Sequence, residues 1–553
     1  MRFTYSSFIL CCLFCLNGTA SLLAQAMQTQ WIATIGGNQF EENNSLAQAP
    51  CGDIYTVGFF QDSFGVLSTF GQDREDGFIT KYNDQGVLQW VQQLRGTSTD
   101  RINGIAITED NSIFIVGEFR NTLYYNNDSL VSQGRLDVFV AKLDSSGQFQ
   151  WAFSAGSSQD DSAHDIDILS NGNLVLTGYF QMELPWGPDT LRTNTSRDVF
   201  VSCFAPDGTA LWASFLNGPG VDESNSIATD SSNCLYIMGS FRDFLYPNGN
   251  VVQSEGGVDA FLAKYDSTGQ LLWTEIMGGP AGDQGRYVTV DVEQNVIAGG
   301  WISSYLSIPS NLTFIVGDQE EDIFAVKYRP NGDLIWAKVI GGTFDERIYA
   351  IDTDQNGDIY FMGTLDSLLI INRDSLRNRH LSRPTDIFVL KYDSTGNYKW
   401  GQTLGHYYND FCYDFIVPNN RELYIAGSYQ DTSIFVNDTL ISDFGYDIFV
   451  AKFSMDTSLN IPLLLPSAPH LKAHLFPNPS SNQSILTVEL ERDSNLDIII
   501  CNALGQIVHQ QTTPFLGRGT QQIKLTKQDW PTGNYFVTVQ SSNQASILTW
   551  VVE

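Results

Sequence analysis

Asp137-Val-Phe-Val-Ala-Lys-Leu-Asp-Ser-Ser-Gly-Gln-Phe-Gln-Trp151 decides the fold, because the chain repeats it. Related phrases run from Asp76 to Trp90, Asp198 to Trp212, Asp259 to Trp273, Asp322 to Trp336 and Asp386 to Trp400, each opening Asp-x-Phe, at a spacing of 61 to 64 residues. A seventh opening, Asp447-Ile-Phe449, has no tryptophan after it, while Trp31 has no Asp-x-Phe before it. The incomplete halves complete each other, since Gln30 to Ile35 can serve as the last strand of the unit that Asp447 opens.

Each unit reads as four short strands, because apolar runs with alternating character are separated by the Gly, Asn and Asp clusters that make turns. In the second unit strand a is expected over 103–109, b over 113–119, c over 137–143 and d over 149–155, with the longest gap between b and c. Four antiparallel strands per unit, seven times over and without helical periodicity, predict an all-β seven-bladed β-propeller whose N-terminal strand closes the last blade. A linear β-solenoid is the alternative. The Trp31 strand argues against it, because ring closure removes exposed sheet edges. The period stops after Met455. The chain is therefore read as a propeller over 27–454, a proline-bearing linker over 455–472 and a second domain over 473–553. Alternating strands at 485–490, 496–501, 506–510, 521–525, 534–540 and 546–552 predict that this domain is a small Ig-like β-sandwich.

Residues 1–26 read as a secretory signal peptide: Arg2, the apolar run Phe8 to Leu16, then Ala24-Gln25-Ala26. No later stretch reaches the roughly 18 apolar residues of a membrane-spanning helix, so no transmembrane segment is expected. The formal charge of −32 repels phosphates and argues against nucleic acid or an anionic membrane as partner. Because the tail is close to neutral, that acidity belongs to the repeat region. The mature cysteines, Cys51, Cys203, Cys234, Cys412 and Cys501, are odd in number and scattered, which argues against a disulfide framework or a zinc site.

The units also share a b-strand glycine, as in Tyr55-Thr-Val-Gly58, Tyr236-Ile-Met-Gly239 and Tyr424-Ile-Ala-Gly427. With the phrase Asp-x-Phe-Val-x-Lys-Tyr-Asp-x-x-Gly-x-x-x-Trp, they resemble the bacterial secreted β-propeller repeat called SBBP over about residues 29–454. That resemblance implies a fold and an extracellular location, not an activity. Leu475-Phe-Pro-Asn-Pro479, Asn502-Ala-Leu-Gly-Gln-Ile-Val508 and Pro531-Thr-Gly-Asn-Tyr-Phe-Val537 resemble the C-terminal sorting domain of type IX secretion cargo in Bacteroidota. This implies export by Sec to the periplasm, recognition of residues 473–553 by the type IX machinery, and display on the cell surface or release. Pro477, Asn478, Pro479, Gly505 and Gly533 are the sorting-signal positions carried over. The final strand ends Thr549-Trp-Val-Val-Glu553, without the lysine common there in the family.

A residue present in every unit is one that every unit needs, so the repeated Asp, Phe and Trp read as structural. Between each strand d and the next strand a stands a Gly followed by an acid: Glu41, Asp100, Asp161, Asp222, Asp283, Glu346 and Asp410. Three residues further on come Asn44, Asn103, His164, Asn225, Arg286, Tyr349 and Tyr413, which differ between units and are placed at the channel mouth, with His406 nearby. Such variation marks either a binding site or drift on an exposed rim. Asp352, Asp354, Asn356 and Asp358 have the oxygen spacing of a calcium loop. The twelfth position is Gly363 rather than Glu, and the stretch aligns with plain a–b turns, so calcium and a simple hairpin both stand; no other cofactor is expected. Catalytic residues are not legible, as no Ser-His-Asp set or histidine cluster has suitable spacing. The short phrases at Asp128, Asp189, Asp374 and Asp438, Asp-Ser-Leu or Asp-Thr-Leu, resemble the O-glycosylation acceptor of Bacteroidota or are hairpin turns. The leading expectation is a monomeric, non-enzymatic propeller that binds extracellular polysaccharide or protein. A polysaccharide lyase or glycosidase at the channel mouth and a structural surface component are the alternatives.

Overall fold

The computed structural model describes residues 27–455 and 471–552, except 38, 66, 69–74, 194–195, 309–311, 316–319, 343, 372–373, 379–384, 407, 437, 481–482, 491, 502–506, 528–529, 531 and 542–544. The signal peptide over 1–26, most of the linker and Gly505 lie outside the described residues. The chain divides into two compact units, Ala26–Thr457 and one that contains Ser458–Glu553. All described regular structure is β-strand apart from one 3₁₀ turn, Pro247–Gly249.

In the larger unit the strands fall into antiparallel groups of four. Ser162–Ile168, Leu174–Phe180, Asp198–Phe204 and Ala210–Leu216, for example, pair in the order a-b-c-d. Six groups run consecutively in this way, and the seventh joins Asp410–Asn419, Glu422–Phe435 and Asp438–Met455 to the N-terminal strand Met27–Ile35. Trp31 stands opposite Lys452 as Trp90 stands opposite Lys81 and Trp273 opposite Lys264, so the first strand takes the register of a d strand. Its indole Nε1 donates to the carbonyl of Asp84 at 3.0 Å, in a turn of the next group, just as Trp212 Nε1 donates to Ser267.

Strands b and c are buried on both faces, and Leu174–Phe180 has no exposed residue. This differs from the expected alternation. Successive sheets cover each other, so these strands are continuous apolar runs, whereas alternation is found in the smaller unit, as in Gln483–Leu490. Apolar layers fill the space between consecutive sheets: Phe114, Val116 and Val140 meet Leu176 and Phe200, and Tyr236 and Met238 meet Ala298 and Val326. Another layer joins the seventh group to the first through Leu46, Ile54, Tyr82, Tyr424, Ala426, Val450 and Trp31. At roughly 1.5–3 kcal/mol for each fully buried large apolar side chain, these layers dominate the stability. The seven a strands touch one another in a closed cycle.

The b–c segments are not plain loops. In the second group b and c extend as one ribbon, Ile113–Tyr125 against Asp128–Leu143, and strand a begins at Asp100. The fourth and seventh groups extend likewise, whereas in others the gap holds a separate hairpin, such as Glu183–Trp186 against Asp189–Arg192, whose Leu184 and Trp186 are buried in an inter-sheet layer.

The smaller unit has a three-stranded sheet, Ala473–Phe476, Gln483–Leu490 and Gly519–Thr526, and a four-stranded sheet, Ile507–Thr512, Asp497–Cys501, Gly533–Gln540 and Ala545–Val552. Leu486, Val488, Ile498, Val537 and Trp550 belong to its core. Cys51, Cys203, Cys234 and Cys412 are free thiols.

Candidate functional site

Every a strand carries a bulge at the same place. Its pairing with strand b skips one residue, and the seven skipped residues are Asn44, Asn103, His164, Asn225, Arg286, Tyr349 and Tyr413. The b-strand glycine makes this geometry available. A Cβ on Gly58 would lie 1.9 Å from the carbonyl oxygen of Glu42, and one on Gly239 would lie 2.1 Å from that of Glu223. The bulge turns one half-buried side chain per unit out of the ladder, and the cycle of a strands brings the seven into a ring.

Four members of the ring form a relay. Asn44 Nδ2 donates to the carbonyl of Ile102 at 2.9 Å, Asn103 Nδ2 to Ala163 at 2.9 Å, and Asn225 Nδ2 to Gly285 at 2.7 Å. His164 Nδ1 is 2.8 Å from the carbonyl of Ser224 and must therefore carry its proton. Burial lowers its pKa against the opposing pull of Glu223 and Glu118, which keeps the ring neutral. Each side chain bonds the residue just before the bulge of the following unit.

Arg286, Tyr349 and Tyr413 stand outside this relay. Arg286 reaches back to Asn225 Oδ1 at 3.3 Å and lies over the Trp301 ring at 5.5 Å. From Trp301 an aromatic arc continues through Tyr349 at 6.4 Å, Tyr413 at a further 6.1 Å, Phe411, Tyr446 and Phe40 to Phe59, each pair 5.6–6.4 Å apart. Most of these rings are half-buried. Arg347 lies over Trp301 and pairs with Glu321, and Arg101 lies over Phe59 and pairs with Glu75 at 2.7 Å and Glu118 at 3.3 Å. Glu42 sits against Tyr413, and burial pushes its pKa up to about 7 despite Arg101 and a hydrogen bond from Tyr413. The sequence reading missed Trp301, Phe411, Tyr446, Phe59 and Glu42. A signal was available, because Phe59, Tyr179 and Trp301 each follow a b-strand glycine and vary between units as the ring does.

Deeper in the cycle, aspartates tie neighbouring units together. Asp165 Oδ2 accepts from the amide of Ile227, Asp414 Oδ2 from Leu46 and Asp352 Oδ2 from Val417, at 2.7–2.9 Å. Burial raises all three to about 7. Asp352, a calcium candidate, is thus engaged with the seventh unit. Asp354 accepts from Tyr360, from the amides of Asn356 and Asp358, and from Lys391. Asp358 pairs with Lys391 and Lys399. Lys391 and Lys399 thus pair with two of the candidate carboxylates, and among the described residues no three His, Cys, Asp or Glu side chains form a metal-holding group. His406 lies in a d–a loop, where its amide donates to Asp410.

The acids Glu41, Asp100, Asp161, Asp222, Asp283, Glu346 and Asp410 are fully buried beneath the d–a loops rather than displayed on the face. Asp100 lies beside Asp76, Asp222 beside Asp198 and Asp410 beside Asp386, so burial and the neighbouring carboxyl push them up to about 9, 8 and 8. The loop glycine leaves them room, since a Cβ on Gly96 would meet Asp100 Oδ2 at 1.8 Å. Ser129, Thr190, Ser375 and Thr439, which follow Asp128, Asp189, Asp374 and Asp438, are exposed on the b–c hairpins.

In the smaller unit the Pro477-Asn-Pro-Ser480 segment docks on the last strand. The amide of Val551 donates to Asn478 Oδ1 at 2.8 Å, and Trp550 Nε1 donates to Ser480 Oγ at 2.7 Å. Gly533 opens the strand that pairs with it.

Among curated proteins the chain is similar to an uncharacterized WD repeat-containing protein of Acanthamoeba polyphaga mimivirus, 22% identical over 72% of this chain and 35% of that one. It is also similar to the regulatory protein FlaEY of Caulobacter vibrioides, 27% identical over 30% of this chain and 18% of that one. The chain thus spans about a third or less of the length of these relatives. Among solved structures it is similar to a fungal alcohol oxidase of the AA5 family in complex with copper, at TM-score 0.38 and 10% identity, covering 96% of this chain and 100% of that one. PorZ, a surface component of the type IX secretion system of Porphyromonas gingivalis, is similar at TM-score 0.13 and 9% identity, over 94% of this chain and 100% of that one. Residues 474–553 match the secretion system C-terminal sorting domain, and this tail marks the chain for type IX export to the cell surface or the extracellular space.

Proposed function

We propose that the chain is a monomeric, non-enzymatic seven-bladed β-propeller of SBBP type over residues 27–454, joined through 455–472 to an Ig-like sorting domain at 473–553. It reaches the periplasm by Sec, leaves by the type IX route, and binds an extracellular glycan on the face that carries the bulge ring. The closed cycle of a strands and inter-sheet layers supports the propeller reading.

The aromatic arc from Trp301 to Phe59 carries the binding reading. Half-buried ring faces receive the apolar C–H faces of sugar rings, and the neighbouring arginines receive hydroxyls. A peptide added as a strand is disfavoured, because the free edges of the a strands are already engaged: Ile102, Ala163, Ser224 and Gly285 by the relay, Leu46, Ile227 and Val417 by aspartates. Glycan-array binding by the full mature chain, with Trp301→Ala and Tyr413→Ala, tests this; binding that neither change weakens would contradict it. Deleting residues 473–553 should hold the protein inside the cell envelope, and surface display of the truncated chain would sink the export reading.

One group favours a second reading, a polysaccharide-active enzyme. Glu42, poised near 7 beside Tyr413, has the acidity of a general acid or base at neutral pH. Product release from a bound glycan that Glu42→Gln abolishes would favour this reading over simple binding.

A further inference from the structure

We infer that the mouth of the ring holds a subsite for a carboxylated sugar, with the guanidinium of Arg286 as its anion anchor. This rests on the glycan-binding reading above and adds the ligand's charge to it.

Four arginines lie over aromatic rings of this face: Arg101 over Phe59, Arg197 over Tyr179, and Arg286 and Arg347 over Trp301. Three of them are neutralised. Arg101 pairs with Glu75 and Glu118, Arg197 with Glu223 at 3.4 Å, and Arg347 with Glu321 and with Asp345 at 3.5 Å. Among the described residues, Arg286 has no carboxylate within ion-pair distance, and its one hydrogen bond, to Asn225 Oδ1, uses a single Nη1 donor. Glu42 and Glu223 act on it from farther away, and burial disfavours its charge. A guanidinium has five donors arranged in a planar fork that matches a carboxylate, and one withdrawn from water without a partner is costly. The fold keeps this one in place: the bulge fixes its backbone, Asn225 one nitrogen and Trp301 one face.

The surroundings define the ligand. Trp301 lies against the guanidinium, and Tyr349 and then Tyr413 continue the aromatic surface from it, providing stacking for a ring rather than an extended backbone. Of those four arginines only Arg286 lacks a carboxylate partner among the described residues, and on a chain of formal charge −32 a lone cation selects a ligand with one carboxylate, since a polyanion would be repelled as it approached. A glycan ending in an acidic sugar meets both requirements.

The test uses the full mature chain and two tetrasaccharides that differ only in their terminal residue, glucuronate in one and glucose in the other. Calorimetry should give at least about ten-fold tighter binding of the acidic form, as expected for a hydrogen-bonded charge pair. Arg286→Gln should remove that preference, weakening the acidic form far more than the neutral one, and Arg286→Lys should keep part of it. Salt should weaken binding of the acidic form only. Equal binding of the two by the unaltered chain, a preference that survives Arg286→Gln in a folded variant, or stronger binding of a peptide C-terminal carboxylate than of the glucuronate would each overturn the inference. If the neutral form binds and Trp301→Ala abolishes it while no acid preference exists, only the anion subsite fails. If neither glycan binds, the glycan reading of the face fails with it.

Discussion

The ring of bulged residues is built by one rule and used in two ways. From the first unit to the fourth its members are Asn44, Asn103, His164 and Asn225, short groups that each donate a hydrogen to a carbonyl of the next unit. From the fifth to the seventh they are Arg286, Tyr349 and Tyr413, longer groups that take no part in that relay and instead join an aromatic arc. Identical backbone geometry thus latches one half of the mouth and leaves the other half chemically available. The latched half holds neighbouring units in register, and the aromatic half is the part to which glycan binding is proposed.

The strongest way to break this comparison is to remove the bulge. Gly239→Val drives a side chain into the carbonyl of Glu223 and should destabilise the larger unit by about 3 kcal/mol in thermal unfolding. A change under about 0.5 kcal/mol would mean that the bulge does not depend on the glycine.

Next comes the pH dependence shared by both halves, set by the buried acids beneath the loops. Asp283 is raised to about 6, Asp161 and Asp259 to about 7, Glu41, Asp222 and Asp410 to about 8 and Asp100 to about 9, in every case mainly through burial. A raised carboxyl pKa means that the folded state holds the proton more tightly than the unfolded state does. That stabilisation is complete below the unfolded pKa near 4 and is lost as pH climbs through the folded values. Denaturation midpoints should therefore fall steadily between pH 6 and pH 9, and Asp100→Asn should flatten part of the decline. A midpoint that rises over this range would contradict the assignment.

Smaller effects separate the two halves. Asn103→Leu leaves the carbonyl of Ala163 without its donor and should cost about 1–3 kcal/mol of stability with ligand binding unchanged. His164→Asn restores an equivalent donor and should stay within about 1 kcal/mol of the parent, the smallest effect in the series.

Much of the fold could be read directly. The orphan Trp31 and the unfinished Asp447 phrase led to the pairing of Met27–Ile35 with Asp438–Met455, because a strand without a partner sheet and a sheet without its last strand have one economical solution. The bulge ring was accessible as a set of positions, since the residues vary while everything around them repeats. Its division of labour was not accessible. Whether Asn103 meets a carbonyl and Tyr413 meets Tyr349 depends on the stagger between units, which no local pattern encodes. Likewise, the spacing of Asp352, Asp354, Asn356 and Asp358 states how many oxygens are close in sequence, but not that Lys391, in a distant strand, reaches Asp354 and Asp358. The b–c gaps read as loops because their strands are short, and only the inter-sheet layer explains why Leu184 and Trp186 are apolar.

The most direct test of the two-halves account is a paired measurement on two double variants of the full mature chain, Asn44→Leu with Asn103→Leu and Trp301→Ala with Tyr413→Phe. Unfolding free energy and glycan affinity are measured on both. The account predicts that the first pair loses stability and keeps affinity, while the second keeps stability and loses affinity. If each pair loses the same quantity, or if the first pair loses affinity at unchanged stability, the division of the ring into a latched half and a binding half is wrong.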